Sequence, residues 1–183
     1  MRFSFILGVI VSSIIMAGRV EGSILITEIL ADPPTGLAGD ANQDGVRSSS
    51  ADEFVELFND GPDSVDLTGW RIDDADQTRH LFPAGTSLDP DRYLVVFGAG
   101  APAIPGILAQ TSSTGALSLN NSADVVSLFS ASGLGIDMVT YDALAGQDQS
   151  IVRAPGGNGE FVLHSSVSPD IFSPGTGLVP DMP

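Results

Sequence analysis

Glu53-Phe54-Val55-Glu56-Leu57-Phe58-Asn59 is a short run of bulky apolar residues broken by carboxylates and closed by Asn-Asp-Gly. Such a run is too short for a buried helix, and its aromatic and β-branched content suits a strand. The pattern recurs outward in both directions. Strands are expected near Ser23–Leu30, Glu53–Asn59, Ser64–Leu67, Trp70–Asp73, Arg79–Phe82, Tyr93–Phe97, Ala116–Leu119, Asp124–Phe129, Leu134–Tyr141, Ser150–Arg153 and Phe161–His164. Gly (21) and Pro (12) are spread through the chain as turn residues rather than pooled in one linker. No segment holds a 3.6-residue apolar period over three turns, so the expectation is an all-β sandwich or barrel. The clearest hairpin joins Val125–Phe129 to Ile136–Tyr141 through Ala131-Ser132-Gly133, where Gly supplies the positive φ. Two long loops, Ala31–Ala51 and Gly98–Gly115, interrupt the pattern, and the Pro/Gly-rich tail Ser173–Pro183 is expected to fray.

Composition narrows the function. The 183 residues carry 23 acidic and 7 basic side chains, a net charge of −16, and every basic residue is an arginine. A surface that negative repels phosphate backbones and anionic lipids, so nucleic acid is not an expected partner. Cysteine is absent, which excludes a disulfide scaffold, a thiolate metal site, a cysteine nucleophile and a lipobox anchor.

The first 22 residues read as a secretory signal. Arg2 precedes an apolar run, Phe5–Ala17, and small residues follow, with cleavage expected after Ala17 or Gly22. As a helix, Phe5–Ala17 spans roughly 20 Å, short of the ~30 Å hydrocarbon core. A buried N-terminal helix or a membrane anchor are the competing readings. No second stretch is long enough to span a bilayer, so the mature chain is expected to be secreted, periplasmic or displayed at the cell surface.

Asp40-Ala41-Asn42-Gln43-Asp44-Gly45 is the strongest chemical signal. Oxygen side chains at alternate positions, closed by a glycine, suit a hard cation such as Ca²⁺. The helix-loop-helix register fails, because its twelfth position is Ala51. The candidate site is therefore Asp40, Asn42, Asp44 and the Val46 carbonyl, closed by Asp52 or Glu53. The alternative is a solvated acidic turn whose Asx side chains bond their own backbone.

Glu28 and Glu56 are a second oddity. At period two, Glu28 shares a face with Ile24, Ile26 and Leu30, and Glu56 with Phe54 and Phe58. Carboxylates there need structural partners, a metal, or a catalytic role as an acid–base pair. Asp73-Asp74-Ala75-Asp76 reads as a turn or a weak cation site, and His80 and His164 as strand histidines. No nucleophile elbow, phosphate loop, dinucleotide fingerprint or HExxH spacing is present.

Several segments in order resemble a bacterial lamin tail domain. Ile26-Thr27-Glu28-Ile29 is similar to the family's opening strand, usually Ile-Asn-Glu-Ile, with Thr27 departing from it. Glu53–Asn59 resembles Glu-Phe-Ile-Glu-Leu-Tyr-Asn. Val65–Trp70, Phe82–Thr86 with Tyr93–Val96, Asp124–Leu128 and Asp137–Tyr141 continue the likeness, which covers Ser23–Gly175. It implies an immunoglobulin-like antiparallel β-sandwich over residues 23–175 with a flexible tail at 176–183. It also implies a non-enzymatic interaction module, here with an extracellular protein or polysaccharide as partner. Two alternatives stand beside that reading: an assembly protein pairing through strand edges, and a small secreted hydrolase.

Overall fold

A computed structural model describes residues 24–157 and 159–178. The expected signal, Met1–Gly22, lies outside the described residues, as do Ser23 and 179–183. Twelve strands form: β1 (Ile24–Leu30), β2 (Phe54–Asn59), β3 (Val65–Asp66), β4 (Arg71–Asp73), β5 (Thr78–Leu81), β6 (Ser87–Leu88), β7 (Tyr93–Phe97), β8 (Leu108–Thr111), β9 (Asp124–Phe129), β10 (Gly135–Tyr141), β11 (Ile151–Ala154) and β12 (Glu160–Leu163). Helix is confined, among the described residues, to three single 3₁₀ turns.

The strands build an immunoglobulin-like β-sandwich. One sheet has the order β12-β11-β1-β2-β7-β8 and faces a second of order β10-β9-β4-β5, with β3 and β6 forming a small ribbon. Pairing is antiparallel except between β7 and β8, which run parallel. The main core lies between the sheets: Ile24, Ile26, Ile29, Val55, Leu57, Leu94, Val96 and Ile151 from one side meet Ile72, Val126, Leu128 and Val139 from the other. Trp70 is partly buried against it. The β9–β10 hairpin closes as expected, with Gly133 at φ 83°.

Four local expectations are corrected, the last of them at Glu28. Ala116–Leu119 is not a strand: Ser118 takes a left-handed φ of 54°. The Leu119 N–H goes to the Glu53 carboxylate (3.3 Å) rather than to a neighbouring strand. Leu117 and Leu119 still reach the core, so their apolar signal was real but belonged to packing, not pairing. Conversely, β8 forms inside the loop expected at Gly98–Gly115. His164 lies just past β12 in a 3₁₀ turn, not on a strand.

The fourth correction concerns Glu28. The β1–β2 register slips at Thr27, from Ile26 opposite Leu57 to Glu28 opposite Glu56. That bulge reverses the alternation, so Ile24, Ile26 and Ile29 enter the sandwich while Glu28 and Leu30 turn to the outer face. The outer face carries a second apolar cluster of Leu30, Phe54, Val95 and Phe97, covered by Ile104, Ile107 and Phe172. The C-terminal segment crosses this face. Ser173 and Gly175, expected to fray, are fixed to it by hydrogen bonds.

Candidate functional site

Two carboxylate-rich regions flank the outer cluster. The first is the Asp40–Asp52 loop. Asp44 Oδ1 accepts the Val46 N–H at 2.9 Å, and Asn42 Oδ1 accepts the Asp44 N–H at 2.9 Å. Asp40 Oδ2 accepts the Gly45 N–H at 2.9 Å. Buried Asp52 accepts the Asn42 and Ser48 N–H groups at 3.1 and 2.7 Å. These are Asx-type turns, in which side-chain oxygens take the place of backbone acceptors. The loop also docks on the second long loop: Ala101 donates its N–H to Asp44 Oδ2 (3.2 Å), and Asn42 Nδ2 donates to the Ala99 carbonyl (3.3 Å). Gly100, at φ 84°, permits the contact, since a Cβ would stand 2.5 Å from both Asn42 Nδ2 and Asp44 Oδ2.

The candidate calcium ligands are thus only partly assembled. Asp40, Asn42 and Asp44 share one turn, and Asp52 sits behind it. Val46 is exposed at the loop tip. Glu53 points elsewhere, toward Leu119. Burial pushes its carboxyl up to about 7, against the pull of the Leu119 and Ser118 N–H groups. Asp40 Oδ1 is buried and has no hydrogen-bond partner. Among the described residues, no group of three or more His, Asp or Glu side chains lies at metal-holding spacing.

The second region is the pair Glu28 and Glu56, direct cross-strand neighbours and both 0 % exposed. Glu28 accepts hydrogen bonds from Ser150 Oγ (2.6 Å), the Ser173 N–H (2.9 Å) and Ser173 Oγ (2.9 Å). Glu56 accepts from Thr27 Oγ1 and the Gly175 N–H, each at 2.7 Å. Burial raises both carboxyls. For Glu56 the adjacent Glu28 adds to the rise, bringing it to about 8. All four oxygens are spent on structural bonds, beneath a covering segment.

The remaining polar candidates are structural too. Asp74 Oδ1 caps the β4–β5 turn by accepting the Asp76 and Gln77 N–H groups (2.8 and 2.7 Å), while its Oδ2 pairs with Arg79. Burial works against ionisation there, but those bonds outweigh it and hold the carboxyl below its usual range. His80 bonds Gln110 Oε1 at 2.9 Å, and burial holds its ring below the ordinary histidine range.

A surface feature without any motif lies on the outer side of the four-stranded sheet. A shallow groove of about 350 Å³ is lined by Ser127, Phe129, Gly135, Ile136, Asp137 and Met138. Met138 and nearby Leu134 are each 65 % exposed. The acids beside it are neutralised: Asp73 pairs with Arg71 at 3.0 Å, and Asp137 with Arg153 at 2.8 Å. Arg71 also stacks over Phe129, 4.3 Å from the ring centroid.

A family model described as Lamin Tail Domain matches residues 18–143. The chain belongs to the lamin tail domain family. No curated protein matches the chain. The lamin tail domain is a non-catalytic, immunoglobulin-like interaction module, which accords with a sandwich whose buried acids are occupied by backbone donors. The match stops at residue 143, short of the likeness traced to Gly175. Glu28, Glu56 and the groove strands β9 and β10 fall inside the lamin tail domain match; β11, β12 and the segment covering the glutamates fall outside. Among the described residues no helix is long and apolar enough to cross a membrane.

Proposed function

We propose that this lamin tail domain protein is an exported, non-enzymatic binding module that engages a protein or polysaccharide at the cell surface or outside the cell. The observation that carries the reading is the groove around Phe129 and Met138. In a chain of net charge −16 it offers a locally neutral apolar surface, which marks an interaction site rather than a solvated face. The leader-like Met1–Gly22 supports export. Capture of an extracellular protein or polysaccharide fraction by immobilised full-length protein tests it. Met138→Glu should abolish capture without lowering the melting midpoint; equal capture by both proteins would overturn the reading.

Calcium binding at the Asp40–Asp52 loop belongs to the same proposal. Its support is the unpartnered Asp40 Oδ1 beside Asp44, with Asn42 and Asp52 holding the turn in shape. A site at the weak extracellular end, on the order of 10⁻⁴–10⁻³ M, would add about 1.4 kcal/mol at ten times its Kd. Wild type should melt highest in calcium, lower in magnesium and lowest in chelator, and Asp44→Ala should erase the calcium increment. Identical melts, with no heat of binding at millimolar calcium, would leave the loop as an acidic turn alone.

A further inference from the structure

The segment Ser168–Leu178 lies across the outer face of the six-stranded sheet, directly over Glu28 and Glu56. Ser173 meets Glu28 through its N–H and Oγ, and Gly175 meets Glu56 through its N–H. The Ser150 N–H donates to the Ile171 carbonyl (2.9 Å), and Phe172 packs edge-on against Phe54. Beyond them Gly177, at φ 51°, passes so close to Tyr93 that a Cβ would fall 2.0 Å from its Oη. The two glutamates are therefore buried polar anchors of the strap, beside the bonds it makes to Ser150 and His164.

The charges around this pair do not balance it. From β11, Arg153 lines the small cavity beside Glu56, but its guanidinium is spent on Asp137 and on the Phe161 ring. From the turn after β12, His164 Nε2 lies 3.9 Å from Glu28 Oε1 and 2.9 Å from Ser173 Oγ. Its Nδ1 faces the Asp170 carbonyl and so carries a proton. Through Ser173 Oγ the His164 ring is linked to Glu28. Glu56 has no such partner. From β7, Tyr93 supplies a phenol, and Asp91 in the preceding turn adds negative charge beside it. Among the described residues no cation bonds Glu56, which stands next to a second carboxyl in a dry site.

We infer that residues 168–178 form a proton-dependent latch, docked on the sheet while Glu56 keeps its proton and released when Glu56 ionises beside Glu28. Burial beneath the strap and the adjacent Glu28 raise the Glu56 carboxyl to about 8, against the pull of the Thr27 and Gly175 donors. A group raised in this way favours docking fully below its ordinary range, and the advantage is lost as pH climbs through about 8. The docking equilibrium falls by about tenfold per pH unit for each proton released. Release lifts Phe172 off Phe54, so the latch governs access to that side of the outer apolar cluster.

Amide hydrogen exchange on the full chain, expressed as protection factors from pH 6 to 9.5, tests the latch. The Ser173 and Gly175 amides should lose protection by at least tenfold above pH 8, while core amides of β2 and β7 keep theirs. Glu56→Gln is neutral at every pH; its amide can accept from Gly175 and donate to Thr27, so its strap should stay protected through pH 9.5. Gly177→Ala should release the strap already at pH 6, with the core intact. Unchanged protection of Ser173 and Gly175 at pH 9.5 in wild type overturns the latch. So does simultaneous loss of core protection, or opening of Glu56→Gln at the wild-type pH. Should Glu56→Gln fail to fold, the wild-type profile and Gly177→Ala decide it.

Discussion

The Asp40–Asp52 loop and the Glu28–Glu56 pair use the same bond, a carboxylate accepting N–H or O–H donors, in different surroundings. In the loop, Asp52 receives two backbone N–H groups, and Asp44 receives two more, one from the neighbouring loop. On the sheet, Glu56 receives one N–H and one hydroxyl and has a second carboxyl as its cross-strand neighbour. There the protonated form is favoured. Burial, joined at Glu56 by the neighbouring carboxyl, outweighs the donors at both glutamates.

The contrast breaks most sharply at Asp52. Asp52→Ala strips two N–H groups of their acceptor, and unfolding in urea should show a loss of about 3–5 kcal/mol. A smaller effect separates the regions by pH. The raised Glu56 carboxyl contributes stability that is fully present below its ordinary range and is lost as pH rises through about 8. Between pH 5 and 8 the wild-type unfolding free energy should fall by up to about 1.4 kcal/mol per unit for each such carboxyl. Glu56→Gln should flatten that slope, and if it does not, the pair is not the source. Gly100→Ala tests the loop contact alone: its φ of 84° and the crowding of Asn42 and Asp44 should cost about 1–2 kcal/mol, with the wild-type pH slope retained. Least of all, Gln43→Gly should relieve a left-handed φ of 56° and raise stability by a few tenths of a kcal/mol.

The sheets were legible because their strands repeat every two residues and end on Gly, Pro, Asn or Asp. Tyr93–Phe97 and Asp124–Phe129 form at the expected bounds. The acidic loop was legible as a turn, since Asx spacing is local. What long-range contacts decide stayed hidden. The bulge at Thr27 carries no distinctive residue type, yet it reverses the face of Glu28. Ala116–Leu119 has strand composition, but a side chain from Glu53, far away in sequence, claims its N–H. The partnership of the two long loops, and the strap over the glutamates, depend on folding together segments separated by more than fifty residues. A run of Pro, Gly and Ser such as Ser173–Gly177 reads locally as frayed, because its affinity for the sheet resides in the acceptors opposite it.

The position of β1 has a consequence for synthesis. It lies inside its sheet, between β2, which follows soon after, and β11, which arrives near the end of the chain. The two halves of that sheet therefore become available at different times on the ribosome. Between the appearance of Phe97 and of Ser173, roughly 4–15 s pass at about 5–20 residues per second. Throughout that interval the nascent sheet has an open margin at β1 and an aromatic face with no strap to cover it. A chaperone that holds extended chains would find its natural target there, on the growing protein rather than the finished one.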